Sequence, residues 1–475
     1  MRRIMVLMSI GAALLVAQPA AAAPSAEPLP AAIDAYAAAA LKSTGLPGMS
    51  LVVTHGGRVV HAAGYGHGSD GQPITAGTPM RVASVSKSFT AMAVMTLVDA
   101  GKVALDEPVA AQLPEFRLDD PRAARVTVRQ LLNQTSGLAD GGVDLGRAEA
   151  ATDLAGYLAA LRSGRLAAEP GTRWAYCNVN YEVAARLVEV ASGLGFGDYL
   201  ARHVFGPLGM TGSAVGDGVV RPARGYNSLF GVWVARPELD RFSARGGAGG
   251  VVTTAADMGA WLISQSGAGT QVVRPESLAA MHTPTRIAEY GMGWGPVTAD
   301  GTTLLVHSGN LFTYNAVEAI DPATGYGYAV MTNSASLYDD TYDVMTGLVA
   351  LSQGRSPAAP GGTRQLTELV LGLIGFGAIA LTVLAVVRSR RWARRRSGRA
   401  AWRTGLRLVP LLLPVCGLVL YPRIISFLTN GRTVTWAQLM FFAAPLTATL
   451  VTAALAGLVT AAVRLVRLRW VASER

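Results

Sequence analysis

Ser84-Val85-Ser86-Lys87 sets one of only three lysines in the chain three residues after a serine, at the head of an apolar run. On a helix this spacing turns both side chains to one face, where the amine can help a serine hydroxyl lose the proton it must shed to attack a carbonyl. A lysine in a first helical turn works against the helix dipole, which also makes its ammonium easier to deprotonate. Taken alone, the pair is more often a capping serine beside a solvated lysine.

The stretch Phe89 to Val98 is apolar nearly all round, which predicts a buried helix that holds Ser84 rigidly. Two other groups lie at element boundaries. Tyr176-Cys177-Asn178, the only Tyr-x-Asn in the chain, follows the turn signal Pro170-Gly171-Thr172 and precedes a helix-like run from Val179 to Val190. His307-Ser308-Gly309 sits between the strand candidates Thr303 to Val306 and Leu311 to Ile320, which places it on a sheet edge. Singly, Tyr176 and Asn178 read as turn or cap residues and His307 as a half-exposed strand histidine. As a set they supply bases. Lys87 and Tyr176 both titrate far above neutrality in isolation, and each stabilises the charged form of the other, so they should titrate as one unit.

Ser-x-x-Lys, Tyr-x-Asn and His-Ser-Gly, in this order, resemble the three site motifs of the class C β-lactamase-like serine hydrolases. That family includes class C β-lactamases, D-alanyl-D-alanine peptidases, D-aminopeptidases and some carboxylesterases. The segments Arg81 to Ser84, Leu131 to Leu138, Phe205 to Met210 and Gly249 to Thr254 resemble its linkers, and the likeness runs from about residue 30 to residue 350. The resemblance implies Ser84 as nucleophile, Lys87 and Tyr176 as its catalytic partners, and Asn178 as the group that orients lysine and substrate amide. It further implies His307, Ser308 and Gly309 along the substrate, with the glycine leaving room against the strand, and an oxyanion hole of the Ser84 and Asn310 backbone N–H groups. The usual Lys-Thr-Gly is here His307-Ser308-Gly309, which is expected to exchange a permanent charge for one that titrates near neutral pH. Relatives with histidine there are more often esterases or D-amino-acid peptidases than lactamases.

A coarse pass gives an α+β fold, which the resemblance sharpens to an antiparallel sheet flanked by helices with a mainly helical subdomain. A helix from Ala31 to Lys42 precedes strands Met49 to His55 and Arg58 to Gly64, joined by Gly56-Gly57 as a hairpin. Strands are expected at Gly291 to Gly295, Leu304 to Val306, Ala316 to Ile320 and Tyr328 to Met331, then a helix near Tyr342 to Leu351. Asn133, Ser136 and Asp257 read as turn, cap and helix-start residues. The histidines show no paired ligand spacing, so no metal or other cofactor is assigned.

The ends differ in kind from the middle. Residues 1–23 carry Arg2 and Arg3, an apolar core and an alanine-rich end, the pattern of a secretory signal peptide. Residues 24–355 form the hydrolase-like domain and 356–368 a linker whose Arg364, Gln365 and Glu368 mark the outer membrane boundary. Uncharged runs at 369–387 and 436–463 read as transmembrane helices, and 408–428 as a third between them. Nine arginines lie in the basic loop 388–407 and four in the tail 464–475, which by the positive-inside rule puts the domain outside and the C-terminus in the cytoplasm. The chain's net charge of +10 is therefore local: residues from 363 onward carry 16 arginines against two acids, whereas those before carry 25 bases and 29 acids. Nucleic acid is not implied; anionic lipid headgroups are. The two cysteines, Cys177 and Cys416, are too far apart in kind of surroundings to pair.

The leading expectation is a membrane-anchored serine hydrolase acting on an ester, an amide or a cell-wall peptide. The alternatives are a sensor that binds a β-lactam or wall fragment and signals through the helices, a weak β-lactamase, and an inactive binding domain. Oligomeric state is open.

Overall fold

The computed structural model describes residues 29–474 apart from 217, 219, 238–245, 300 and 430; the signal-peptide reading of 1–23 lies outside them. A helix, α1 (Leu29–Thr44), leads into an antiparallel hairpin of β1 (Gly48–His55) and β2 (Arg58–Gly66), turned by Gly56 and Gly57 at φ +56° and +80°. The buried helix foreseen after Ser84 is α2 (Ser86–Asp99), whose residues from Ser86 to Met95 are all buried. There follow α3 (Val179–Ser192) and α4 (Ala255–Gln265), then β3 (Gly295–Ala299), β4 (Thr302–Asn310), β5 (Asn315–Ile320), β6 (Tyr326–Thr332) and α5 (Asp340–Ser352). The strands make one six-stranded antiparallel sheet ordered β2-β1-β6-β5-β4-β3, so N- and C-terminal parts of the domain are knitted at its centre.

Alternation along the strands decides the layers. Met49, Leu51 and Val53 of β1, with Val317, Tyr328 and Val330, face α1 and α5 on one side. Val52, Ala316, Ile320, Ala329 and Met331 face α2, α3 and α4 on the other, where Phe89 packs against Trp261 at 4.0 Å between ring centres. The site therefore lies where the larger, helical layer meets β4.

Two expectations need correction. The strand foreseen at Gly291 to Gly295 is a loop; β3 starts only at Gly295, because Gly293, at φ +81°, brings the loop so near α2 that a Cβ would lie 2.8 Å from Ser88 Cα. The His-Ser-Gly strand, β4, is not the edge strand, since β3 pairs with it. That pairing stops at Val306, and residues 307–310 run on past it beside the cleft.

After α5 come three helices long and apolar enough to cross a membrane: α6 (Thr363–Val387), α7 (Ala401–Leu428) and α8 (Ala444–Ser473). Each extends past the uncharged run that foretold it. In place of one helix from Trp436, a short one, Trp436–Leu439, with a capping box from Thr435 and Gln438, precedes α8, which restarts with Pro445 in its first turn. The residues expected to mark the membrane boundary dock α6 onto the domain. Arg364 lies 3.5 Å from Glu368, both about 3% exposed, and donates to Ser228 Oγ and the Thr44 carbonyl at 2.8 Å each. Beside them the hairpin Gly225–Leu229/Val232–Arg236 exposes Leu229, Phe230, Val232 and Val234. Small residues and threonines join the helices: a Cβ on Gly457 would strike the Leu411 carbonyl, and Thr449 Oγ1 donates to the Leu371 carbonyl at 3.1 Å.

Candidate active site

Ser84 stands in a short 3₁₀ turn, Ala83–Val85, that runs directly into α2. Ala83 holds φ +49°, a left-handed conformation that costs a residue with a Cβ of order 1 kcal/mol or more and is retained where the surroundings impose it. What imposes it is β4: a Cβ at Gly309 would sit 2.1 Å from the Val82 carbonyl and 3.0 Å from Ser84 N. The glycine thus permits strand and serine turn to touch, rather than leaving room for substrate as expected.

Lys87, fully buried, donates from Nζ to Ser84 Oγ at 3.0 Å and to the Ala248 carbonyl at 2.7 Å. Its ammonium lies 4.9 Å from the ring centre of Tyr176 and 5.7 Å from that of Tyr181. Burial lowers its pKa, against the opposing pull of Tyr176, and Arg432 lowers it further. The Tyr176 side chain faces Lys87 and Ser84; burial pushes its pKa up, but the charges of Lys87 and Arg432 outweigh this and hold it below the usual phenol value. Lysine and tyrosine are thus both biased toward giving up their protons, as a general base requires.

Asn178 stands at the start of α3 without capping it, and its Oδ1 is buried with no hydrogen-bond partner. That excludes the cap reading and leaves a buried acceptor without a partner on a residue that lines the cleft. One turn on, Glu182 Oε1 accepts from the Ala248 N–H at 3.3 Å. The Tyr176 loop is pinned by Gln134, whose Oε1 accepts from Cys177 N at 3.0 Å and Asn180 Nδ2 at 2.6 Å. Ser136 bonds Asn180 at 2.6 Å, so this supposed cap braces the same loop. Asp257 does open α4, where Thr254 caps its N–H.

His307 corrects a further expectation. Its Nδ1 must donate to the Ser308 carbonyl at 2.8 Å, so Nε2 accepts from the Tyr290 hydroxyl at 3.1 Å. Burial and the nearby Lys87 charge bring its pKa to about 3, so it is neutral rather than titrating near pH 7. Ser308 is exposed and lines the cleft with Ser84, Tyr176 and Asn310. The Asn310 side chain is held by Asp339 at 2.8 Å.

The structure thus gathers Ser84, Lys87, Tyr176, Asn178, His307, Ser308, Gly309 and Asn310 at one cleft. Sequence reasoning missed Gln134, Tyr181, Glu182, Tyr290 and Arg432. The first lay within a quoted linker segment, but nothing in the sequence tied Arg432 to the site. Among the described residues no cluster of His, Cys, Asp and Glu could hold a metal ion.

A serine turn braced by a sheet strand, with lysine and tyrosine beside it, defines the class as serine hydrolases of the β-lactamase fold. The Beta-lactamase family model matches residues 33–350, and the chain belongs to that family. Penicillin-binding protein 4 of Amycolatopsis lactamdurans is 32% identical over 335 residues, 64% of this chain and 86% of that one. The octameric penicillin-binding protein homologue from Pyrococcus abyssi superposes with a TM-score of 0.59 at 26% identity, covering 68% of this chain and 77% of its own. The D-amino acid amidase from Ochrobactrum anthropi SV3, complexed with D-phenylalanine, has a TM-score of 0.56 and 25% identity, covering 68% and 97%.

Proposed function

We propose that this protein is a membrane-anchored, extracytoplasmic serine hydrolase that cleaves esters or amides, with D-amino-acid and cell-wall peptides as the favoured class. The observation that carries the reading is Lys87, fully buried and 3.0 Å from Ser84 Oγ. A binding site has no need to bury an amine beside a hydroxyl, whereas proton removal does.

In this mechanism Ser84 Oγ attacks the substrate carbonyl carbon while its proton passes to the Lys87–Tyr176 pair. The carbonyl oxygen, now anionic, is received by the N–H groups of Ser84 and Asn310. The C–O or C–N bond breaks, Tyr176 returns the proton to the departing oxygen or nitrogen, and an acyl-Ser84 ester remains. Water then attacks that ester, giving its proton to the same pair, and as the acyl–oxygen bond breaks the pair returns the proton to Ser84 Oγ and the acid is released. Asn178 Oδ1 accepts from the substrate amide.

Three apolar helices with thirteen arginines at one end against Arg364, Arg423 and Arg432 at the other support multi-pass anchoring with residues 388–407 and 464–475 in the cytoplasm. The exposed apolar hairpin around Phe230 supports contact with lipid, and the arginines contact with anionic headgroups. A second reading, a sensor, is favoured by the contact between cleft and membrane helices described below; it requires very slow deacylation.

The test is intact mass of the detergent-solubilised full chain after exposure to a fluorophosphonate, beside Ser84→Ala. One adduct, absent from the variant, is expected; a folded wild type that takes up no adduct defeats the hydrolase reading. Turnover of p-nitrophenyl esters, D-amino-acid amides and a chromogenic cephalosporin then ranks the substrates, and a persistent acyl adduct would favour the sensor.

A further inference from the structure

The family match ends at residue 350, yet one wall of the cleft comes from beyond it. Thr429 and Arg432, which follow α7, border the space beside Tyr176, His307 and Ser308, about 610 Å³ in volume. Thr433, Val434 and Phe442 border the adjoining chamber of about 390 Å³ beside Asn178. This segment is tied down. Thr433 N–H donates to Asp140 Oδ2 at 2.9 Å, and Arg432 Nε lies 3.9 Å from the same oxygen. The Arg432 guanidinium covers the Tyr176 ring at 4.9 Å, on a residue that also faces Lys87. Farther along, Phe441 meets Phe312 at 5.9 Å, and Arg236 donates to the Met440 carbonyl at 2.7 Å.

Among the described residues, the acids of the cleft are confined to one half. Beside Tyr176 the lining includes Arg173 and Arg432 and, among the described residues, no acid. Beside Asn178 it includes Asp140, Glu149, Glu182 and Asp339, with Arg432 at the border of both halves. Chemistry says which half holds which part of a substrate. The leaving group must collect a proton from Tyr176, so it lies in the Tyr176 half, and the acyl group lies beside Asn178. The lysine that relatives carry at the third motif is missing here, and the histidine in its place is engaged at both nitrogens.

We propose that the segment joining α7 to α8 is a wall of the active site, and that Arg432 binds a carboxylate on the leaving-group half of the substrate. Favoured substrates are then acyl esters or amides whose leaving group is a hydroxy acid or an amino acid. The inference rests on the serine-hydrolase reading above. A guanidinium suits this task because its forked donors match a carboxylate, and its flat face is already packed on the tyrosine.

The experiment uses the full chain in detergent and a matched pair of N-acylglycyl esters of lactic acid, one with a free carboxylate and one capped as the primary amide. Each is scored by how far it slows fluorophosphonate labelling of Ser84, which reads binding and turnover together. Wild type should prefer the free carboxylate. Arg432→Gln should reduce that preference by roughly tenfold to a hundredfold through KM, and Arg432→Lys should restore part of it. An unchanged preference in Arg432→Gln overturns the proposal, as does a labelled wild type that neither ester protects. Loss of the preference in Arg173→Gln alone would assign the role to Arg173 and overturn it too. Absence of labelling in wild type strikes the hydrolase reading itself, so the two failures are distinct. Should Arg432→Gln lower the melting temperature, Arg432→Lys carries the comparison.

Discussion

Lys87 and Arg364 are both buried cations, one in the family domain and one in the first turn of α6, and they are surrounded differently. Lys87 rests on a hydroxyl, a carbonyl and two aromatic rings, and burial lowers its pKa. Arg364 stacks at 4.5 Å on Trp233, lies 3.5 Å from Glu368 and donates to Ser228 and Thr44. Burial without full compensation makes a group ready to lose its proton, while burial with a carboxylate and several acceptors makes a joint. The first arrangement suits the chemistry proposed for Ser84, and the second joins α6 to the domain.

Exchanging each cation for alanine should therefore separate activity from stability. Lys87→Ala is expected to slow Ser84 labelling by at least about a thousandfold, and Lys87→Ala/Tyr176→Phe to cost little more than either change alone, because the two act as a unit. Its melting temperature should hold or rise, since a desolvated amine is gone. Near-normal labelling in Lys87→Ala would break the comparison outright. Arg364→Ala should do the reverse in part. It leaves Glu368 buried with its charge partner removed, which costs roughly 3–5 kcal/mol, read as a lowered melting temperature of the solubilised chain. A stable Arg364→Ala protein would mean that α6 is not held by this pair.

How far the sequence revealed these surroundings depends on range. Ser84 and Lys87 were legible because three-residue spacing puts them on one helical face, Tyr176 and Asn178 through the resemblance of the three motifs taken in order, and the β1–β2 hairpin because glycines mark it. The apolar runs Ala316 to Ile320 and Tyr328 to Met331 likewise foretold β5 and β6, both of which are buried along almost their whole length. Long-range neighbours were not legible. Gly309 looked like space for substrate, and only its distance to the Val82 carbonyl reveals a close approach of backbones. Arg432 read as one of two arginines in a loop that follows a span, since no local pattern says which surface such a loop will meet. His307 was given an ordinary titration because burial by Tyr290 and repulsion by Lys87 come from residues distant in sequence.

A buried acid sharpens the rule with a smaller effect. Glu318, in the central strand β5 and fully buried, accepts from Trp261 Nε1 at 2.8 Å, and burial raises its pKa to about 8. The folded state then keeps a proton that the unfolded chain releases near pH 4.5, so stability is greatest below that value and falls as pH rises toward 8. Glu318→Gln retains an acceptor for Trp261 and removes the titration. Its melting temperature relative to wild type should climb from pH 5 to pH 8, and parallel curves would show that Glu318 is ionised in the folded protein.

The smallest effect is expected at His307, and it tests whether the third motif supplies charge or shape. Its ring is fixed between Ser308 and Tyr290, and its folded-state pKa of about 3 lies below the ordinary 6.5. A base held down in this way destabilises the fold only as pH drops below its ordinary value, and it carries no charge in the range where the Lys87–Tyr176 pair titrates. The acid limb of Ser84 labelling should thus belong to that pair and persist in His307→Gln, whose amide can still donate and accept. In NMR spectra of labelled protein the His307 ring should show no transition between pH 5 and 8. A transition near 6.5, or an acid limb that vanishes in His307→Gln, would return to this histidine the charge that the geometry denies it, and would weaken the case for Arg432 as the cation that meets the substrate.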